Sequence, residues 1–138
     1  MGTRNQGDGD VPTAAAAAAA SYAAPGPLGA ELRDDRTGAV VCAFEGDLDL
    51  DGLGRVQPVL DEALRSGAPR LVVDLARLGF CDSSGLNLLL SLRLDAERQG
   101  VSLRLAAPNE QLSRLLRLTG ADTVFTIDRS VADALAAP

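Results

Sequence analysis

Two short runs hold most of the side chains able to do chemistry: Asp47-Leu48-Asp49-Leu50-Asp51-Gly52 and Phe80-Cys81-Asp82-Ser83-Ser84-Gly85-Leu86. The first opens like an EF-hand loop, whose alternating carboxylates ligate calcium and whose closing ligand is a bidentate Glu. That Glu would fall at position 58, which is Pro58. The residues before the run are also β-type rather than helical, so calcium is set aside. The run reads instead as an acidic strand-to-helix turn, with Asp49 or Asp51 capping a helix that starts near Gly52. Gly52-Leu53-Gly54 opens like a dinucleotide fingerprint, but Gln57 stands where a further small residue is required.

The second run offers a serine nucleophile and fails as one. A hydrolase elbow reads G-x-S-x-G, whereas Ser83 has Cys81 two residues before it and Ser84 has Leu86 two residues after it. An activated serine also needs a base, and the chain contains no His. Taken locally, Asp82 or Ser83 is a helix N-cap and Gly85 permits close packing.

Composition narrows the classes further. Without His, neither a Ser-His-Asp triad nor an imidazole zinc site can form. All basic residues are Arg, which excludes a P-loop lysine and a Schiff-base lysine. With 13 basic and 19 acidic side chains, the formal net charge is −6. No basic cluster is present to neutralise phosphates, so nucleic acid is not an expected partner. Cys42 and Cys81 lie in apolar stretches without C-x-x-C spacing and read as buried small hydrophobes in a reducing compartment. The alanine run at 14–20 is too short and too weakly apolar to span a membrane. The start of the chain, with Asp8 and Asp10 beside Arg4, is unlike a signal peptide. These features place the protein in the cytoplasm, with no membrane partner.

The elements that must position the two runs follow from periodicity. Residues 1–27, rich in Ala, Gly and Pro, read as a disordered tail, leaving one domain over 28–138. Leu28–Leu32 and Ala39–Phe44 are expected strands around a turn at 34–38, the second ending at Glu45-Gly46. Val56, Val59, Leu60, Ala63 and Leu64 recur at helical spacing and stop before Pro69. Arg70–Leu75 is an expected buried strand. A short link follows, and then a helix begins around Ser84 with Leu86, Leu89, Leu90 and Leu94 on its apolar face and Gly100 just past its end. Val101–Ala106 alternates as a strand. Asn109 caps a helix carrying Leu112, Leu115, Leu116 and Leu118. A strand at Val124–Ile127 and a helix from Ser130 to Ala136 complete the chain. Strands alternating with helices predict an α/β domain with parallel pairing.

The ordered set of segments carries more than either run alone. Glu45-Gly46-Asp47-Leu48-Asp49, the strand Leu71-Val72-Val73-Asp74-Leu75, Phe80-Cys81-Asp82-Ser83-Ser84-Gly85-Leu86, Gly100–Leu105 and Leu118-Thr119-Gly120 occur in that sequence. Together they resemble the STAS-domain family of bacterial anti-sigma factor antagonists, over about residues 30–136. The resemblance implies an α/β STAS fold, a mixed four- to five-stranded sheet with about four helices. It also implies a switch rather than an enzyme. In that family the first Ser of D-S-[S/T]-G is phosphorylated by a serine kinase that is itself the anti-sigma factor, and the matching residue is Ser83. Asp49 matches the acidic-turn residue that lies near the phosphoacceptor, and Asp82 is the acid inside the motif.

The resemblance further places Asp47, Ser84, Gly85 and Asn87 around the phosphosite. Family members usually carry Gly where this chain has Asn87, a departure that bears on how closely a kinase backbone can approach. The implied partners are an anti-sigma serine kinase and a phosphatase that resets the switch, with no cofactor on this chain. The alternative implied role is a STAS adaptor or scaffold module in a transport or signalling complex, without obligatory phosphorylation.

Overall fold

The computed structural model describes residues 27–138; the tail expected over 1–27 therefore lies, except for Pro27, outside the described residues. The chain runs β1 (Gly29–Asp34), β2 (Val40–Leu48), α1 (Leu53–Arg65), β3 (Arg70–Cys81), α2 (Ser83–Arg98), β4 (Ser102–Ala106), α3 (Glu110–Thr119), β5 (Ile127–Asp128) and α4 (Val131–Ala136). Short 3-10 turns precede α1 and follow α3. The five strands form one sheet in sequential order. β1 and β2 form an antiparallel hairpin, and β2 to β5 pair in parallel through helical crossovers. The mixed sheet with four helices is the architecture that the family resemblance implies.

Strand alternation divides the apolar residues between the two faces of the sheet. Cys42, Phe44, Val73, Leu75 and Leu105 point into a core shared with α1, α2 and α3. Val41, Val72 and Ala106 point the other way, against Ala134 of α4. With no Trp and few aromatics, packing in the main core is mostly aliphatic, with Phe44 and Phe125 among buried leucines and valines. Both cysteines are buried and free, and burial raises each thiol to about 12, Cys81 also feeling the charge of Asp82. They serve as apolar filler, as their sequence context implies. Among the described residues no helix is long and apolar enough to cross a membrane.

The second face is held by two polar clamps. The Arg70 guanidinium donates to the carbonyls of Ala134 and Ala137, both at 2.8 Å, and to that of Pro138 at 3.0 Å, capping the α4 end that has no intrahelical partners. Arg104 donates twice to Asp128, from Nε at 2.8 Å and Nη2 at 3.0 Å, with both side chains largely covered. Those bonds hold the Asp128 carboxyl below its ordinary value, with the charges of Arg104 and Arg70 adding to the effect.

A depressed carboxylate stabilises the fold above its unfolded pKa of about 3.9, and that contribution disappears as pH falls through the lower folded value. Arg104→Met should therefore cost about 2 kcal/mol at neutral pH. It should also flatten the acid limb of stability below about pH 4. Urea melts of wild type and variant across that range check both, and parallel acid limbs would contradict the assignment.

Several boundaries differ from expectation. β2 runs on past Gly46 to Leu48, and β3 past Leu75 to Cys81, because the two strands stay paired through register shifts beyond Ala43 and Gly46. The last strand is shorter than Val124–Ile127 and shifted to Ile127–Asp128, with Val124 exposed after a 3-10 turn. α2 begins at Ser83, within the expected start around Ser84, and buries Leu86 and Leu89 as expected, but it also buries Leu88 and Leu92 while Leu94 is outside the core. Leu118 is 78% exposed, leaving Leu112 and Leu116 as the buried residues of α3.

Candidate functional site

The carboxyl ends of β2 and β3 meet at one edge of the sheet, the end at which parallel strands usually present their sites. β3 hands directly into α2 there. Asp82 is the N-cap: its backbone is extended, and its Oδ1 accepts from the Gly85 amide at 3.0 Å. The Asp82 carbonyl accepts from the Leu86 amide at 3.0 Å, starting the helix. Ser83 is then the first helical residue and is exposed; Ser84 is half-buried. Gly85 takes the third amide of the turn for the cap. The amides of Ser83 and Ser84 have no acceptor among the described residues, so they and the positive end of the helix dipole lie beside the Ser83 hydroxyl.

Close contact with β2 fixes where this turn sits. The Asp82 amide donates to the Leu48 carbonyl at 3.3 Å. A Cβ on Gly85 would collide with that same carbonyl oxygen and lie 2.7 Å from Leu48 Cγ and 2.8 Å from Cys81 Sγ. Only a glycine lets the α2 start and the β2 end approach this closely. Asp49 follows Leu48 directly, so its backbone lies one residue from this contact.

Neither Asp49 nor Asp51 caps α1, contrary to expectation. The chain enters α1 through a 3-10 turn at Leu50–Gly52, closed by the Gly52 amide on the Asp49 carbonyl at 3.1 Å, and the backbone does the work a cap would have done. The half-buried Asp49 carboxylate consequently makes no hydrogen bond among the described residues.

Asp47 has a structural task. β3 carries one more residue than β2 between Gly46–Leu78 and Leu48–Cys81, and the Asp47 carboxylate accepts from the otherwise unpaired Phe80 amide at 2.8 Å. Asp47 thus shapes the strand leading into Ser83. Asn87 is exposed one helical turn beyond Ser83, on the same side of α2. Two large apolar side chains also stand outside the core at this end: Phe80 is 51% and Leu50 69% exposed.

Sequence reasoning missed one clamp and saw half of another. β4 pairs with β3 only as far as Asp74, so the open side of the β3 end is held by α3 side chains. Gln111 accepts from the Cys81 amide at 3.0 Å and donates to the Cys81 carbonyl at 2.8 Å, imitating a neighbouring strand. Asn109 caps α3 through the Leu112 amide at 2.8 Å, as its position implies. Its amide nitrogen also donates to the Leu78 and Gly79 carbonyls, at 3.0 and 2.7 Å. Ala107, with a left-handed φ of 57°, turns the link from β4 toward these contacts. A polar pair at the start of α3 is the only trace of the clamp in the sequence, and nothing there names its partner. Gln111→Ala leaves two backbone groups of Cys81 unpaired and should cost about 1–3 kcal/mol. Exchange at the Cys81 amide should accelerate at the same time; unchanged protection would mean the clamp contributes nothing.

Fold and edge together define a small α/β domain with an exposed serine at a helix start, beside strand ends that carry acidic residues. The family model described as "Mlab, STAS domain" matches residues 32–128, and the chain belongs to the STAS domain family. Among curated proteins it is similar to the anti-sigma-F factor antagonist RsfB of Mycobacterium tuberculosis, 27% identical over 101 residues, which are 73% of this chain and 82% of RsfB. Among solved structures it is similar to an anti-sigma factor antagonist from Mycobacterium paratuberculosis, with a TM-score of 0.72 and 24% identity over 82% of this chain and 95% of the other.

A further fold neighbour is the anti-sigma factor antagonist SpoIIAA in its unphosphorylated form, with a TM-score of 0.65 and 22% identity over 77% of this chain and 92% of the other. The Bacillus SpoIIAA is also solved in its phosphorylated form, with a TM-score of 0.61 and 22% identity over 77% of this chain and 96% of the other.

Proposed function

We propose that this chain is an anti-sigma factor antagonist that binds an anti-sigma serine kinase while unphosphorylated, releasing a sigma factor. Phosphorylation of Ser83 by that kinase then switches the binding off. The observation that carries the reading is the setting of Ser83, exposed at the first position of α2 beside two amides without acceptors. A phosphate there is received by those amides and by the helix dipole, so the modified domain stays folded. The same phosphate adds about −1.5 to −2 charges next to Asp82 and Asp49.

The exposed Phe80 and Leu50 supply apolar area for a partner around the hydroxyl. The kinase brings ATP, magnesium and the base that takes the hydroxyl proton, so this chain is a substrate and needs no catalytic residue of its own. That RsfB and SpoIIAA are anti-sigma factor antagonists, and that SpoIIAA exists in unphosphorylated and phosphorylated forms, supports the reading.

The direct test is phosphoryl transfer from the cognate kinase and ATP to purified protein. Wild type should take up phosphate and Ser83→Ala should not; a Ser83→Ala protein still phosphorylated elsewhere overturns the assignment. Exposed Asn87, where the family resemblance expects Gly, favours a second reading as an adaptor or scaffold module that docks through the same edge without modification. Under that reading the cognate kinase leaves wild type and Ser83→Ala alike unmodified.

A further inference from the structure

At the opposite side of the sheet from β5, the outer edge of β1 has no partner among the described residues. Its hydrogen-bonding phase is set by the hairpin. The Asp35 amide donates to the Ala39 carbonyl at 2.8 Å, so the residues of β1 in the same phase, Arg33, Glu31 and Gly29, direct their backbone groups at β2. The alternate residues Asp34, Leu32 and Ala30 direct theirs outward. On the side-chain level, Ala30 and Leu32 lean half-buried on the main core, while Glu31 and Arg33 are exposed on the other face.

We propose that a second copy of this chain pairs with this edge, antiparallel and centred on Leu32, to form a reversible dimer with one continuous sheet. A two-fold axis at Leu32 sets that residue against the partner's Leu32, with each exchanging an amide and a carbonyl bond. It sets Glu31 opposite the partner's Arg33 and Arg33 opposite the partner's Glu31, on one face and within contact distance for a cross-strand pair.

The neighbouring choices fail twice over. Centring on Glu31 or on Arg33 puts like charges face to face, and it opposes residues whose backbone groups are already spent on β2. Of the three centres that hydrogen-bond phase allows, Ala30, Leu32 and Asp34, only Leu32 sets Glu31 against Arg33 twice with no like charges opposed. Charges on an edge strand often serve only to prevent pairing. A guard of that kind works with any arrangement of sign, whereas Glu31-Leu32-Arg33 is complementary to itself about an outward-facing centre. The ladder is short, so the dimer is weak and concentration-dependent. This inference does not rest on Ser83.

Sedimentation equilibrium of the full chain between about 10 µM and about 1 mM tests it. Wild type should shift from monomer toward dimer across that range. Glu31→Arg and Arg33→Glu, both exposed substitutions, should each weaken the dimer about tenfold or more, since each converts two attractive pairs into two repulsive ones. An equimolar mixture of the two variants restores attraction in both pairs and should form a heterodimer at wild-type strength, as should self-association of the double swap. A wild type that stays monomeric throughout, single variants that dimerise as well as wild type, or a mixture that fails to associate each overturns the proposal.

Discussion

Ser83→Asp should bind the anti-sigma kinase ten to a thousand times more weakly than wild type in a calorimetric titration, while melting no lower. The fold is spared because a carboxylate at the first position of α2 meets unsatisfied amides and the positive helix end, which is worth a few tenths to about 1 kcal/mol in its favour. Binding is not spared. A unit charge about 4 Å from another of the same sign costs roughly 1 kcal/mol in water and about 4 kcal/mol at the effective dielectric of a protein surface. In the free, solvated turn the repulsion from the neighbouring Asp82 stays near the smaller figure and is offset by the helix end; an interface closed over it moves it toward the larger, a difference of a few kcal/mol, and each 1.4 kcal/mol or so is a factor of ten. A Ser83→Asp variant that binds as tightly as wild type would show that charge at this turn does not control the partner.

Gly85→Ala should lower stability by about 3 kcal/mol or more, seen as a fall of roughly 10 °C in Tm, or fail to fold. Two effects of opposite sign compete. Alanine is the better helix former by about 1 kcal/mol, and an exposed glycine near a helix start would be improved by it. Here the new Cβ meets the Leu48 carbonyl oxygen, which is backbone and cannot swing aside, together with Leu48 Cγ and Cys81 Sγ at 2.7 and 2.8 Å. Relief requires moving α2 away from the end of β2, which separates the Ser83 turn from Leu48. Ser84→Ala, half-buried in the same turn and without such contacts, is the matched control and should change Tm by no more than a few degrees. A Gly85→Ala protein as stable as wild type would contradict the close packing of strand end on helix start.

The strands, helices and caps that depend on local chemistry were legible in the sequence. Asn109 caps α3 as its position implies, Ser130 stands at the expected start of the last helix, where it is the N-cap, and Gly100 and Gly120 end α2 and α3 with positive φ. What depended on a distant partner was not. The leucines of α2 fall at 86, 88, 89, 90, 92 and 94, so nearly any side of the helix looks apolar and periodicity cannot choose among them. The contact of Gly85 with Leu48 chooses, and it turns Leu88 and Leu92 inward.

Likewise, Ala76 to Phe80 has the Gly and the mixed polarity of a link. It is strand because β2 pairs with it, Asp47 fills the bulge, and Asn109 and Gln111 close the other side. Of the candidate site, the acidic turn and the serine run could be read, and so could their order along the chain. Their meeting at one sheet edge, the unbonded carboxylate of Asp49 and the clamp from Gln111 are properties of the folded chain alone.

Tandem mass spectrometry of the protein isolated from its native cells, with the phosphate located residue by residue, tests the central claim most directly. The account predicts a phosphorylated fraction in which the single modified residue is Ser83, and its loss when the cognate kinase is deleted. A phosphate found only at other residues, or a Ser83 unmodified in every condition in which the kinase is active, would contradict it.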